Sequence, residues 1–348
     1  MVMALMGQAA CGGEGAPTPA LPESEAPEER GDLAEADGPS AEPARDEPTD
    51  EPDDKEDDGA TDHLAELRAE LAQQAEAEEE RWTDELRDHA SALAEAEFSS
   101  LSEGLNAVLA SEHRTPGNPA RDPERRPTET LAFFGLSPEM KVLEIGPGAG
   151  WYTEILAPLL APQGELWVTA PDVPPSDEDS YPAFFRDRLD FVLGRSAELF
   201  GGVGKASYDP ADPDLGLSEE FDAALLIRGM HNFVRRDQLD AWLSTVYDAL
   251  RPGAVFGVVQ HRAPGDADPE ASAETGYLPE DWVVSQVESA GFELEERSEI
   301  NANPDDTADH EAGVWTLPPS LRLGDQDREK YEAIGESDRM TLRFVKPE

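Results

Sequence analysis

The sequence predicts a doubly wound α/β domain over residues 112–348, preceded by a disordered acidic tail over 1–62 and an acidic helical arm over 63–111. Three observations carry that reading. Near residue 112 the composition changes from acid-, Ala- and Pro-rich to that of a folded domain. At 142–160 a short apolar strand, a turn with three glycines and an apolar helix follow one another. Beyond them, apolar runs of strand length alternate with helical stretches, the pattern of parallel βαβ units.

Composition bounds the function before any motif does. The 348 residues hold 77 Asp+Glu against 27 Lys+Arg, a formal net charge of −50, and a single cysteine. One cysteine excludes an internal disulfide scaffold. A grip on nucleic acid needs basic surface to neutralise phosphates, and this chain would repel a polyanion. No run of about 18 apolar residues exists that would predict a membrane-spanning helix. Charge of this size suits solubility in a salty habitat and says nothing of the fold.

The tail opens MVMALMGQAAC and runs on into a Pro-, Ala- and acid-rich stretch; residues 1–62 carry 19 acids against 3 bases. With so few large apolar side chains it cannot offset its ordering entropy, so disorder is expected. Ala9, Ala10 and Cys11 after an apolar run resemble the start of a bacterial lipoprotein. That resemblance implies a lipid anchor at Cys11 and a place in the cell envelope. Gln8 stands where a Leu-like residue is usual and no positive segment precedes it, so a cytoplasmic chain with an ordinary N-terminal cysteine stays open. In the arm, Leu64, Leu67 and Leu71, then Trp82, Leu86 and Leu93, then Phe98, Leu101, Leu105 and Val108 fall at helical spacing. QQAEAEEER, between Leu71 and Trp82, has no apolar face, which predicts two helical pieces or one long helix with a solvated middle. Without a sustained heptad pattern, a spacer docked on the main domain is favoured over a coiled-coil partner arm.

The main domain opens with four prolines and a short helix, TETLAFFG, with Thr128 as N-cap and Gly135 as stop. Val142, Leu143 and Ile145 form the first strand, Gly146, Gly148 and Gly150 the turn, and Trp151–Leu160 the helix. GELWVTAPD (164–172) reads as the second strand, 180–200 as helical, and GKASYDPADPD as a third strand ending at Asp209. Ala223–Ile227 is the fourth strand, Arg236–Leu250 a helix, and AVFGVVQHR, after the turn Arg251-Pro252-Gly253, the fifth. Leu278–Ala290 is helical, and WTL with MTLRF is expected to form the closing strand pair.

The glycine spacing narrows the ligand. A dinucleotide fingerprint places glycines at offsets 0, 2 and 5, whereas these sit at 0, 2 and 4 with Glu144 two residues earlier. Glu-x-Gly-x-Gly-x-Gly resembles motif I of class I S-adenosylmethionine (SAM) dependent methyltransferases. The resemblance implies a Rossmann-like sheet of seven strands with SAM as cofactor. Glycines would let the backbone approach the amino-acid and ribose parts of SAM, and Glu144 would meet its positive charge. Asp172, 22 residues past Gly150, stands where an acid in this architecture bonds the ribose, about 20 residues past the loop. Asp209 would reach the adenine amine, and Tyr152 and Arg228 complete the expected cofactor set. Further along, FFGLSPEMKVLEIGPGAGWYTEILAPLL, IRGMHNF, SEINANPDDT, VWTLPPSLRLGDQDR and AIGESDRMTLRFVKPE resemble a group of predicted, often exported, bacterial methyltransferases of unknown substrate. The likeness runs over roughly 115–348 and implies no acceptor.

Methyl transfer needs alignment of acceptor, methyl and sulfur more than acid–base help. His231 and Asn232, after the fourth strand, are the expected catalytic residues, with His231 able to deprotonate a hydroxyl or amine. A structural imidazole capping the next helix is the competing reading of His231. His261 and Arg262 close the fifth strand, and a long polar insertion carries Glu299, Asn301, Asn303, Arg322, Asp325, Arg328, Glu336, Ser337, Asp338 and Arg339. Such an insertion is expected to cover the acceptor pocket; its arginines mark either an anionic acceptor or, the favoured reading, internal ion pairs. No metal-ligand spacing, Walker loop or nucleophile elbow is present. The leading expectation is a SAM-dependent methyltransferase acting on a small-molecule or envelope acceptor. The alternatives are a non-catalytic envelope-tethered protein binding an adenosyl or other small ligand, and a tethered interaction protein working through its arm. Fold alone cannot separate these.

Overall fold

The computed structural model describes residues 58–348, with side-chain surroundings given from His63 onward; the lipoprotein-like start at Cys11 and the acidic linker lie outside the described residues. The arm is three helices, α1 (Asp58–Arg81), α2 (Asp84–Ala94) and α3 (Leu101–Leu109). QQAEAEEER stays helical within α1 with a largely solvated surface, because a helix needs only one apolar stripe to dock. Thr83 and Ser100 cap α2 and α3 by accepting from Leu86 N and Glu103 N. The short α4 (Asp122–Arg125) and α5 (Pro127–Phe133) follow; Pro127 begins α5, so the N-cap is Arg126 and not Thr128.

The sheet is built from β1 (Lys141–Ile145), β2 (Glu165–Pro171), β3 (Gly204–Tyr208), β4 (Phe221–Ile227), β5 (Leu250–Ala263), β6 (Leu278–Pro279), β7 (Glu293–Ser298) and β8 (Arg339–Val345). Its order is β3-β2-β1-β4-β5-β8-β7, with the two-residue β6 beside β5. β3 through β5 run parallel, while β8 enters antiparallel between β5 and β7. The doubly wound, Rossmann-like α/β fold is therefore present. The closing pair differs from expectation. WTL lies in a 3₁₀ turn over Gly313–Thr316, and the partner of β8 is ELEERS at 293–298. That strand is a charged sheet edge, which discourages edge-to-edge pairing and hides the apolar alternation that marks inner strands.

The helices on the faces are α6 (Thr153–Leu160), α7 (Tyr181–Gly194), α8 (Ala197–Phe200), α9 (Met230–Arg235), α10 (Leu239–Ala249), α11 (Pro269–Ala273), α12 (Glu280–Ser289) and α13 (Arg328–Ile334). The helical run after β4 breaks in two because Asp237 adopts a left-handed φ of 55° between α9 and α10. β1 and β4 are apolar on both faces because helices cover both. On one face Val142, Leu166, Ala223 and Leu225 pack with α6 and with Trp82, Leu86, Phe98 and Leu105 of the arm, so the arm shares the domain's core. On the other, Leu143, Ala224, Leu226 and Phe256 pack with α10 and α12. α1 attaches separately: Leu64 and Leu67 pack on Phe184 of α7. Leu67→Ala should remove about 2 kcal/mol from that contact. Amide exchange in residues 63–81 should accelerate about 30-fold while the sheet stays protected; unchanged exchange would mean that α1 is held by other contacts. Among the described residues no helix is long and apolar enough to cross a membrane.

Candidate functional site

Sheet order reverses between β1 and β4, so the loops after these strands diverge and leave a crevice at their C-terminal ends. Gly146, Gly148 and Gly150 form the loop after β1 with φ of +60°, +58° and +80°, values that side chains with a Cβ rarely adopt. The three glycines serve two ends. A Cβ on Gly150 would lie 2.5 Å from Val192 Cγ1, so this glycine lets α7 close on the loop. A Cβ on Gly146 would meet nothing within 4 Å, and one on Gly148 only Arg188 Nη2 at 3.9 Å. Those two therefore present bare backbone to an open cradle. Gly146 N donates to Thr169 Oγ1 at 2.9 Å, tying the loop to β2.

That cradle opens into a cleft in which the loop meets Glu144, Trp151, Tyr152, Arg188, Arg228 and His261. Glu144 is buried and accepts from Thr153 Oγ1 at 2.7 Å; burial pushes its carboxyl up to about 8. Burial likewise pushes the Tyr152 phenol up to about 12. Arg228, directly after β4, has a left-handed φ of 59°, and its N–H donates to Val259 O at 2.6 Å. A non-glycine residue held in this region marks local strain, of the kind concentrated at functional sites.

The insertion between β7 and β8 roofs the cleft with Val314, Trp315, Pro318, Pro319 and Ser320, and brings Glu336 and Ser337 to its wall. Two buried carboxylates hold the roof. Asp306 accepts from Tyr277 Oη at 3.2 Å, His310 Nε2 at 2.9 Å and Asp338 N at 2.8 Å. Glu336 accepts from Arg121 Nε and Arg125 Nε at 3.0 Å and from Arg339 Nη1 at 2.7 Å. Arg262 fans across Asp338, Glu280 and Glu299. Asn301 donates to Thr130 and Thr341, and Asn303 to the carbonyls of Ile334 and Glu336. Of the insertion arginines, Arg339 and Arg328 make internal ion pairs, the latter with exposed Glu332, while Arg322 lies over Trp315 at 4.8 Å; Asp325 is exposed.

A second, broader opening runs along the ends of β2 and β3, lined by Asp172, Tyr208, Asp209, Asn232, Gln238 and Trp242. Asn232 Oδ1 is buried there with no hydrogen-bond partner among the described residues, so an acceptor oxygen stands ready for a ligand donor. Asp209 Oδ1 accepts from Ala211 N at 2.9 Å.

Of the expected site residues, Glu144, Gly146, Gly148, Tyr152 and Arg228 thus share the first cleft, and Asp172, Asp209 and Asn232 the second. Gly150 lines neither and packs on Val192. His231 lines neither as well: it is fully buried, with Nδ1 3.2 Å from Gln260 Nε2, and desolvation pushes it down to about 3. Its ring stands 5.9 Å behind that of His261, which does reach the cleft and places Nδ1 2.5 Å from Ser337 Oγ. Arg188 and Trp315 were not legible in sequence as site residues, since one is an ordinary helix arginine and the other read as strand. An open glycine cradle, a buried carboxyl beside it and an unsatisfied amide oxygen further along fit a ligand shaped like SAM, cationic at one end and carrying hydroxyls and an amine at the other. Among the described residues no cluster of three or more His, Cys, Asp or Glu could hold a metal.

No protein-family model matches the chain, and no curated protein matches it. Among solved structures it is similar to a SAM-dependent methyltransferase from Aquifex aeolicus, at 17% identity over 66% of this chain and 93% of that one, with a TM-score of 0.42. It is similar to the N-methyltransferase NodS from Bradyrhizobium japonicum WM9, at 16% identity over 67% and 98%, with a TM-score of 0.39. It is also similar to the 4+2 cyclase SpnF, at 18% identity over 64% and 80%, with a TM-score of 0.40.

Proposed function

We propose that the chain is a SAM-dependent methyltransferase whose acceptor binds under the roof formed by the β7–β8 insertion. The observation that carries this is the glycine cradle: two left-handed glycines at which a Cβ would meet at most Arg188 Nη2 at 3.9 Å, at the switch point of a parallel sheet. When bound, SAM supplies a methyl group made electrophilic by its sulfonium. The chain's own residues do the rest. Gly146 and Gly148 admit the amino-acid part, with Arg188 beside Gly148 for its carboxylate and Glu144 for its positive charge. Asp172, Asp209 and Asn232 hold the ribose and adenine in the second opening. The roof keeps water from the acceptor, which strengthens every polar contact inside. His261, with Ser337 at its Nδ1, is the group placed to take a proton from the acceptor. His231 supports it from behind as a neutral packing imidazole.

Calorimetric titration with SAM and with S-adenosylhomocysteine (SAH) tests this. Saturable binding of both is expected. Gly148→Val should weaken SAH at least about 100-fold, because a β-branched side chain fits neither the positive φ nor the cradle. Undiminished affinity in a folded Gly148→Val variant would remove SAH from the cradle.

A further inference from the structure

We infer that the acceptor is a small anion with a flat apolar body, held by Arg228 under the Trp315 roof; the inference rests on the methyltransferase reading of this cleft. Charge is the first ground. In a chain of net charge −50, anions are repelled at long range, yet Arg188 and Arg228 both line this cleft. Its lining includes two acids, and both are neutralised. Glu336 is shared by three guanidinium groups. Glu144 is buried, accepts from Thr153 Oγ1 and, in the methyltransferase reading, is taken up by the positive charge of SAM. A cationic acceptor therefore meets arginine without a competing carboxylate.

Division of labour is the second ground. SAM brings one carboxylate. Arg188, on the Gly148 side of the cleft, stands beside the cradle where that carboxylate belongs. Arg228 follows β4, the strand between β1 and β5, so it sits between the cradle and His261 at the end of β5. Its left-handed backbone is strain with no turn glycine to relieve it. Arginine offers a planar fork that matches a carboxylate with two parallel hydrogen bonds. Shape is the third ground. Tyr152, Pro318, Pro319 and Trp315, the last under Arg322, wall the same cleft, an apolar and partly aromatic lining suited to a planar body.

The test uses three probes of one shape and different charge: benzoate, benzyl alcohol and benzylamine. Each is titrated into the full chain, with and without saturating SAH. Benzoate should bind at least about tenfold more tightly than either of the others, the ratio expected for one charge-assisted hydrogen-bond pair. Arg228→Gln should abolish that preference and Arg228→Lys should retain part of it, in variants that unfold as cooperatively as wild type. Equal binding of the three probes, a preference for benzylamine, or a benzoate preference that survives Arg228→Gln would each overturn the inference. Absence of SAH binding alongside an Arg228-dependent benzoate preference would refute the methyltransferase reading and leave the anion site standing.

Discussion

Glu154→Ala is expected to lower folding stability by about 3–5 kcal/mol, the cost typical of removing one partner from a buried charge cluster. Glu154 is fully buried in the first turn of α6. Its carboxylate accepts from Thr115 N and Oγ1 and from Asn118 Nδ2 at 2.9 Å, and from Arg114 Nε at 3.2 Å; Arg195 Nη2 stands 3.8 Å away. Alanine would strip that carboxylate from Arg114 and Arg195, both buried, leaving Arg114 with Asp122 and Arg195 with Glu78 at 3.9 Å. The loss should reach the cleft. Glu154 pins residues 114–118, Asn118 O accepts from Trp151 Nε1 at 3.3 Å, and the same segment leads to Arg121 and Arg125 on Glu336. Urea denaturation of wild type and variant measures the first effect, and SAH titration of the folded variant the second. A stability change under about 1 kcal/mol would show the cluster to be replaceable by water.

How much of this was legible in the sequence depended on whether a residue's role is local. The β1–glycine–α6 unit was legible because each step has a local cause: an apolar run, three glycines, an apolar helix. The inner strands were legible because burial on both faces leaves continuous apolar runs. ELEERS was not, since an edge strand takes its pairing from β8 and keeps its charges in water. At the site, Glu144, Asp172 and Asp209 lie at strand ends, which the spacing of the unit fixes. His231 was expected ahead of His261 because it follows the fourth strand, and the packing of α9 that buries it has no local signature in the sequence. Glu336 illustrates the same limit: its three arginines come from residues 121, 125 and 339, a convergence that no spacing reports.

Glu144 should make stability and ligand affinity depend on pH in opposite directions. In the folded chain its carboxyl is raised from an ordinary value of 4.5 to about 8, chiefly by desolvation. Between those values the unfolded chain has released the proton and the folded chain keeps it. The folded state then binds more protons, so this group's contribution to stability falls as pH rises from 4.5 to 8 and is flat above. Water in the cleft that Glu144 lines softens the penalty, so roughly 2–4 kcal/mol is expected over the whole window. Other carboxylates and the net charge add their own slope, and Glu144→Gln isolates this one. The variant should match wild type near pH 5 and exceed its stability at pH 8. Binding runs the other way. A cationic ligand beside Glu144 favours the ionised carboxylate, so SAM should expel a proton near pH 7 and bind more tightly as pH approaches 8. Calorimetry in two buffers of different ionisation enthalpy would detect that proton, and the signal should vanish in Glu144→Gln. Parallel stability curves for the two proteins, with no proton released on binding, would mean that Glu144 is ionised in the free cleft and serves it only as the hydrogen-bond partner of Thr153.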